Sequence, residues 1–222
     1  MRGLSFCLCC LFIMVLLSGC DDDGYKGTYP SVVLEFATVQ ADDKGHLAFL
    51  LTDEQEVLLV LEDRTQTKIE PREQKRVVCN YEMVESKEGI IIYSLSGTLT
   101  SSPVPRKELE VELKENPVSV QSSWLGSDFL NLIMQIRVAD ARKHKFSFIE
   151  DNYFTDGTTS RVDLVLYHDD GGDEFAHTDR AYFSVPLHKY LNNERVTEIK
   201  ISFSYFDYSG KRRVEHFVLK RK

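Results

Sequence analysis

The sequence predicts an all-β protein in which a small five-stranded barrel is followed by a β-sandwich. Two observations carry this prediction. Short apolar runs, many of them alternating with polar residues, recur along most of the chain, and only one short segment has helical spacing. A cluster of serine and proline residues at 101–105 then divides the runs into a first group of five and a second group of seven.

The first group contains the strands of the predicted barrel. They are expected at residues 32–37, 47–51, 57–61, 77–84 and 90–95. Both faces of the first run are largely apolar, as a small closed barrel requires, and five strands of this size are compatible with an OB-type fold. Polar turns are expected at 41–45, where Gly45 closes the turn, and at 86–89.

The second group contains the strands of the predicted sandwich. It starts at 109–113, where Leu109, Val111 and Leu113 alternate with glutamates. This alternation predicts a strand with one buried and one solvated face. Further strands are expected at residues 129–138, 146–149, 162–167, 182–185, 199–205 and 214–219.

One short helix and one domain boundary complete the predicted architecture. The helix is expected at 186–191, because Pro186 suits the first helical position and apolar side chains after it share one face. The serine and proline cluster is taken as the domain boundary. We therefore assign residues 31–101 to the barrel and residues 102–222 to the sandwich.

The N-terminus has the features of a bacterial lipoprotein signal. Arg2 precedes an apolar run at 4–17, which is shorter than the about 20 residues of a membrane span, and a Ser-Gly pair leads into Cys20. We predict a signal peptide at 1–19, acylation of Cys20 with chains such as palmitate, and a tether at 20–30. The alternative is an ordinary cleaved signal peptide with an incidental cysteine.

Composition argues against several classes of function. The formal net charge is -8 and no basic stripe is interleaved with aromatic residues, so we expect no nucleic-acid partner. The chain has no Gly-x-Ser-x-Gly elbow, phosphate loop or dinucleotide fingerprint, so we expect no enzyme and no cofactor. Cys79, the one cysteine left after Cys20, lies on the apolar side of a run and is expected to be a buried small hydrophobe.

The densest polar cluster lies between His168 and Asp179. Clustered carboxylates suit calcium, and histidines with an aspartate suit zinc. The candidate metal ligands are His168, Asp169, Asp170 and Asp173. The spacing matches neither an EF-hand nor a His-Glu-x-x-His motif. The alternative, which we favour, is an acidic hairpin loop in which the Gly171-Gly172 pair supplies positive φ.

Three aromatic residues are candidates for a binding platform. Trp124 is the only tryptophan, and Tyr205 and Tyr208 cluster near a turn. Exposed rings stack on sugars or act as anchors in protein interfaces. The cores of sandwiches also use such rings, and for Trp124 we favour the core interpretation.

Short segments in both halves of the chain are similar to the NigD-like lipoproteins of Bacteroidales. They are YPSVVLEF (29–36), FLLTD (49–53), RVVCNY (76–81) and IYSL (92–95), then WLG (124–126), FLNL (129–132), HKFSF (144–148) and LVLYHD (164–169). The resemblance implies an N-terminal OB-like domain, a C-terminal β-sandwich and a lipoprotein, with bacteriocin immunity as the role proposed for the member that names the family. It implies no catalytic residue. In Bacteroidetes-type bacteria the acidic cluster Asp21–Asp23 resembles the signal that sends lipoproteins to the outer surface. The alternative is retention in the inner membrane, which an aspartate just after the cysteine favours in many Gram-negative bacteria.

The predicted function is that of a non-enzymatic lipoprotein anchored in the outer membrane through Cys20 and displayed on the cell surface. Its partner is expected to be an envelope protein or a toxin, with bacteriocin immunity as the specific form. The first alternative is a lipoprotein that binds a glycan through its aromatic side chains. The second is a metal-dependent hydrolase that uses the cluster between His168 and Asp179.

Overall fold

The computed structural model describes residues 32–84 and 89–221. The predicted signal peptide, Cys20 and the tether lie outside the described residues, as do the first three residues of the predicted turn at 86–89. In the part of the chain that is described, no helix is long and apolar enough to cross a membrane.

Five strands form the barrel. They are β1 (Val32–Ala41), β2 (Leu47–Thr52), β3 (Val57–Asp63), β4 (Gln74–Val84) and β5 (Gly89–Gly97). Around the closed barrel their order is β1-β2-β3-β5-β4, and β3 and β5 pair in parallel whereas the other neighbours are antiparallel. Gly45 closes the first turn with a φ of 83°, where a side chain would be strained. The predicted OB-like barrel is confirmed.

Each of the two apolar faces of strand β1 packs against a different part of the protein. Ala37 and Val39 point into the barrel and are buried in its core with Leu50 and Cys79. Phe36, on the opposite face, is also buried, and its ring contacts Trp124 of the second domain. One face therefore fills the barrel, and the other packs against the sandwich.

The sandwich consists of two sheets. The larger has the order β13-β12-β10-β9-β6 and the smaller the order β11-β8-β7. The strands are β6 (Val104–Pro105), β7 (Ser119–Gly126), β8 (Phe129–Val138), β9 (Lys145–Asp156), β10 (Thr159–Asp169), β11 (His177–Pro186), β12 (Glu198–Phe206) and β13 (Arg212–Lys220). Side chains of both sheets, among them Leu132, Phe148, Leu164 and Phe203, form one core. The predicted β-sandwich is confirmed.

The prediction of a strand at 109–113 is wrong. The segment follows a 3₁₀ turn (Arg106–Glu108), joins no sheet and leaves Val111 exposed. Sequence reasoning missed two strands: β6, a two-residue strand within the segment taken as the domain boundary, and β7, which pairs with β8. Serine residues dilute the apolar pattern of β7, and a bulge between Val120 and Ser122 interrupts its alternation.

The predicted helix is present but shorter. Helix α1 (His188–Leu191) begins two residues after Pro186, which ends β11 instead. Tyr190 is fully buried, and its hydroxyl donates a hydrogen bond to Glu150 at 2.6 Å. Packing of Tyr190 and its partly buried hydrogen bond to Glu150 therefore hold the helix, and no proline occupies its first position.

Candidate functional site: the cleft between the barrel and the sandwich

A buried polar network joins the barrel to the sandwich. Arg76, on β4, forms an ion pair with Asp53 at 2.6 Å. Its guanidinium also donates hydrogen bonds to Ser184 on β11, at 3.0 Å, and to Asn131 on β8, at 3.2 Å. The Arg76 side chain is only 4% exposed. Burial lowers the pKa of Arg76, and the Asp53 carboxylate offsets part of this shift as the counter-ion of the buried guanidinium.

We call this buried polar network the junction network, and part of it depends on a glycine. Asn131 donates a hydrogen bond to the second oxygen of Asp53 at 2.7 Å. Both side chains lie against Gly126 on β7, where a Cβ atom would overlap the Asp53 carboxylate. The close approach requires glycine at this position. The network thus fixes the β2–β3 loop of the barrel against two strands of the sandwich.

A cleft of about 1310 Å³ opens beside this junction. One wall belongs to the barrel and is formed by residues 34–36 of β1, Thr52 at the end of β2, the β2–β3 loop at 53–56, and Val78 and Tyr81 of β4. The other wall belongs to the sandwich and is formed by residues 124–128, parts of β8 and β11, Leu191 and the chain end at 218–221. The cleft is a concave surface made by both domains, and such surfaces are the usual place for a binding site.

Three aromatic side chains that contact one another line the cleft. Trp124 is half-buried and lines it, with its ring edge-to-face against Phe36 at a centroid distance of 5.1 Å. Tyr182 packs on the same phenylalanine at 5.9 Å. These contacts fix the Trp124 ring while part of it remains accessible, which suits an anchor for a ligand or partner.

Charge is distributed unequally between the two walls. The barrel wall carries Glu35, Asp53, Glu54 and Glu56, and the sandwich wall carries Arg180, Lys220 and Arg221 beside Asp128. In residues 32–84 and 89–221, no ion pair joins the acidic wall to these three bases. Burial raises the pKa of Glu35, and the neighbouring negative charges add to the rise. Asp53 is paired with Arg76, and the other charged residues of the cleft are of both signs and form no ion pair across it among the described residues.

A second exposed surface lies on the barrel beyond the cleft. Phe49 and Leu51 of β2 face Leu59 and Val57 of β3 across the sheet, and Leu61 extends the row. Their exposed fractions range from 37% to 66%. We call these five residues the β2–β3 apolar face. Continuous apolar surface of this kind is typical of protein contacts.

Of the three aromatic residues predicted to bind, the structure brings only Trp124 to the cleft. Tyr205 is buried, and its hydroxyl donates a hydrogen bond to Glu215 at 3.1 Å. Burial raises its pKa to about 12. Tyr208 lies at the other end of the sandwich, where its oxygen accepts a hydrogen bond from the Arg137 amide at 2.8 Å. The three rings form no common platform.

The predicted acidic hairpin loop is a turn of another kind. Gly171 and Gly172 have the predicted positive φ, at 61° and 68°. The loop nevertheless joins β10 of the larger sheet to β11 of the smaller sheet, so it is a crossover and the hairpin interpretation is wrong.

The four candidate metal ligands lie at the end of β10 and in this loop, and they have separate partners. Asp169 pairs with Lys114 at 2.9 Å, and Asp170 accepts a hydrogen bond from the Asn116 side chain. Asp173 accepts from two backbone amides, and both ring nitrogens of His168 contact other protein atoms. Across the described ranges, no group of three histidine, cysteine, aspartate or glutamate residues could hold a metal ion.

Sequence reasoning missed the junction network. Apart from Ser184, its members were nevertheless present in segments that carried the family resemblance: Asp53 ends FLLTD, Arg76 begins RVVCNY, Gly126 ends WLG and Asn131 lies in FLNL. A signal was therefore available, because a glycine and polar residues stood among apolar strands without an evident role.

Comparisons with known proteins agree with this architecture. A family model described as the NigD-like N-terminal OB domain matches residues 36–93, and one described as the NigD-like C-terminal beta sandwich domain matches residues 102–217. No curated protein matches.

Solved structures from Bacteroides share the fold. The crystal structure of a NigD-like immunity protein from Bacteroides caccae is 37% identical, covers 87% of this chain and 99% of its own, and has a TM-score of 0.75. A protein of unknown function from Bacteroides vulgatus is 16% identical, covers 86% of this chain and 92% of its own, and has a TM-score of 0.67. The family matches and the 37% identity together establish that the chain belongs to the NigD-like family.

Proposed function

We propose that this protein is a non-enzymatic lipoprotein of the outer surface that binds a protein toxin in the interdomain cleft and thereby protects the cell. The observation that carries the proposal is the cleft, which combines an accessible tryptophan with charges of both signs between two domains joined by a buried network. The class of partner comes from the immunity protein of Bacteroides caccae, with its 37% identity.

The shape of the cleft favours a protein partner. Protein interfaces commonly have a central aromatic anchor surrounded by a polar rim, and tryptophan is among the residues that contribute most. Trp124 lines the cleft together with charged residues from both domains, among them Glu54 of the barrel and Lys220 of the sandwich. A partner that inserts a side chain against Trp124 would meet complementary charges on either side, which favours one orientation.

Pre-organisation supports the same proposal. The junction network holds the β2–β3 loop against the sandwich, so the cleft does not need to be assembled on binding. A partner then loses less free energy to ordering of the site. The β2–β3 apolar face continues from that loop and offers additional apolar area to the same partner.

The lining of the cleft favours binding over catalysis. Among its described residues there is no histidine and no cysteine, the side chains that most often serve as base or nucleophile near neutral pH. Arg76 and Asp53 are bonded to each other and to other members of the junction network. This distribution supports an interaction protein.

The proposed anchor would keep the cleft near the membrane. Acyl chains on Cys20 are followed by the chain that enters β1 at Val32, and residues 34–36 of β1 already line the cleft. A fully extended chain from Cys20 to Val32 spans at most about 40 Å. A toxin that acts on the envelope would therefore meet the cleft close to its target.

A survival assay tests the proposal. The full chain is expressed in a bacteriocin-sensitive strain, and survival is expected to rise. Trp124→Ala is expected to lose most of this protection because the anchor is removed, and the pair Glu54→Gln with Glu56→Gln is expected to weaken it without touching the core. Phe175→Ala is the matched control, because this ring is 58% exposed and does not line the cleft.

The alternatives have different readouts. Unchanged killing by a panel of Bacteroidales bacteriocins, with the folded protein present in the membrane fraction, would count against immunity. A glycan array is expected to show no binding. Glycan binding that Trp124→Ala abolishes would assign the cleft to a glycan instead.

A further inference from the structure

Strand β13 is an edge of the larger sheet and, among the described residues, pairs only with β12. The register runs without a shift over all nine residues of the strand, from Arg212 opposite Phe206 to Lys220 opposite Glu198. By contrast, the edge strand β7 of the smaller sheet has a bulge, and the edge strand β11 is bonded to Leu99. Bulges, prolines and covering segments commonly block the edges of sheets. Strand β13 has none of these within its nine residues.

Two hydrogen bonds at the ends of β13 determine which of its backbone groups point away from the sheet. At one end, the Asp207 amide donates to the Lys211 carbonyl oxygen at 3.0 Å. At the other end, the Arg221 amide donates to the Thr197 carbonyl oxygen at 3.0 Å. Residues of an antiparallel strand bond to one neighbour alternately, so the odd-numbered residues between these ends face β12. The even-numbered residues direct their N–H and C=O groups to the open side, and we call them the β13 free edge: Arg212, Val214, His216, Val218 and Lys220.

The side chains of the β13 free edge form one row on the outer face of the sheet. Successive side chains of a strand point to opposite faces, so residues whose backbone groups face the open side also share a face. Val214 and Val218 are 49% and 50% exposed. The alternate residues Phe217 and Leu219 instead pack against the core of the sandwich. A strand added to β13 would therefore place its own alternate side chains beside two half-exposed valines.

The charge of this segment is opposite to that of the whole protein. Residues 211–221 contain five lysine or arginine residues and one glutamate, whereas the formal net charge of the chain is -8. The glutamate, Glu215, lies on the core-facing side of the strand and accepts a hydrogen bond from Tyr205. At the ends of the free edge, Arg212 is paired with a glutamate only at 3.8 Å, and Lys220 has no ion pair among the described residues. Both ends of the free edge are therefore suited to an acidic side chain on an added strand.

The same charges disfavour a second copy of the chain as the added strand. When two β13 strands pair antiparallel over their whole length, His216 lies on the twofold axis. Arg212 of each copy then lies opposite Lys220 of the other. Like charges directly opposite each other destabilise a pair of strands. A segment with acidic residues at these two places and aliphatic residues opposite the valines is complementary instead.

The β13 free edge leads into the interdomain cleft. Val218 and Lys220 line the cleft as well as belonging to the edge. A strand added to β13 would therefore end beside the sandwich wall of the cleft. The edge adds a contact made by backbone groups, and this contact does not depend on the identity of the partner proposed for the cleft.

We propose that the β13 free edge is a docking site for an extended acidic segment of a protein partner, which adds to the larger sheet as a further strand. The N–H and C=O groups of the even-numbered residues bond to the backbone of the segment. Arg212 and Lys220 bind acidic side chains near its two ends. In recognition of this kind, the main-chain hydrogen bonds give affinity and the alternate side chains give specificity.

A synthetic peptide of nine residues, the length of β13, tests the proposal with the purified protein. The peptide Glu-Thr-Val-Thr-Thr-Thr-Val-Thr-Glu, with blocked ends, places glutamates opposite the basic ends and valines opposite the valines in either strand direction. Amide exchange with water, followed by nuclear magnetic resonance, is expected to slow at Val214, His216 and Val218. With about nine-tenths of the protein bound, the slowing should be about tenfold, because only the free fraction exchanges. The odd-numbered amides, already bonded to β12, should hardly change.

This alternation distinguishes an added strand from binding elsewhere. Equal slowing at odd-numbered and even-numbered amides, or no slowing at about 1 mM peptide, would overturn the proposal. A peptide with lysines in place of the glutamates is expected to bind about tenfold more weakly, because both ends would then face like charges. Equal binding of the two peptides would contradict the acidic character of the partner.

Two substitutions at one position test the role of the backbone. Val214→Pro removes an N–H that faces the open side and leaves the bonds to β12 in place, and edge strands tolerate proline in this orientation. It is expected to abolish the slowing at His216 and Val218. Val214→Thr keeps the N–H and the β-branched shape, so it is the matched control and should bind the peptide like the wild type.

The remaining outcomes also decide the proposal. Peptide binding by Val214→Pro that equals binding by the wild type would place the peptide elsewhere and overturn it. A dimer of the free protein in sedimentation, if Val214→Pro dissociates it, would mean that a second copy occupies the edge instead. If Val214→Pro fails to fold, the alternation of amide exchange in the wild-type protein still decides.

Discussion

Two buried polar clusters, one at each end of strand β8, join segments that are distant in sequence. At the Phe129 end, the Arg76 guanidinium lies 4.4 Å from the Phe129 ring centroid and ties the barrel to the sandwich. Beyond the Val138 end, the side chains of His144, His168 and Asp173 tie one loop to another. A guanidinium carries its charge at any physiological pH, whereas an imidazole can be neutral. The first cluster is therefore built around a permanent charge, and the second around hydrogen bonds between rings, a carboxylate and backbone amides.

The largest effect should come from breaking the junction. Arg76→Met leaves Asp53 largely buried without its cation and removes donors from Asn131 and Ser184, so we expect the free energy of unfolding to fall by about 3 kcal/mol or more. Arg72→Met is the matched control, because Arg72 pairs with Asp43 at 2.5 Å on the open surface. An exposed pair contributes about 0–1 kcal/mol. Chemical denaturation measures both variants, and equal losses would mean that the junction contributes no more than a surface pair.

A smaller effect is expected where the junction requires glycine. Gly126→Ala places a methyl group onto the Asp53 carboxylate and the Asn131 amide, and overpacking of this kind costs about 1–3 kcal/mol. Gly97→Ala, at the end of β5, meets no atom within 4 Å and should be neutral or slightly stabilising. Thermal unfolding compares the two variants. A Gly126→Ala protein as stable as the wild type would show that the β2–β3 loop can move away from β7.

Much of the fold could be predicted because it depends on local patterns. Strand β8 coincides with the predicted 129–138, since seven of its ten residues are apolar. The segment 109–113 was predicted as a strand because its alternation is equally regular, yet no neighbouring strand pairs with it. Alternation reports that a segment could have a buried face, but only the tertiary structure supplies the sheet that would bury it.

The site could be predicted only in part, and for a related reason. Trp124 was a candidate because a single tryptophan is conspicuous in a sequence. The partners of Arg76 were not, because Asn131 and Ser184 lie 55 and 108 residues away along the chain. The pairing of His144 with His168 was hidden in the same way, since these residues meet only when β9 and β10 align. Polar contacts between distant strands leave no periodic trace in a sequence.

The smallest expected effect is that Cys79 does not react with a thiol reagent in the folded protein. This lack of reaction tests whether the barrel and the sandwich unfold together. Cys79 is fully buried in the barrel core, and burial raises its pKa to about 12, so almost no reactive thiolate is present near neutral pH. In a mature chain with Cys20→Ser, Cys79 is the remaining thiol, and we expect it to resist a thiol reagent until the protein unfolds.

The lack of Cys79 labelling is informative because the junction network is expected to couple the opening of the two domains. If the Arg76 network couples the two domains, the free energy of opening measured by Cys79 labelling should equal that measured by amide exchange in the sandwich core, for example at Leu132. In Arg76→Met the two values should separate, with Cys79 becoming accessible first, because the barrel has the smaller core and loses its attachment. Rapid labelling of the wild-type protein under native conditions would mean that the barrel opens independently, and the junction would then fix the shape of the cleft without making the two domains one cooperative unit.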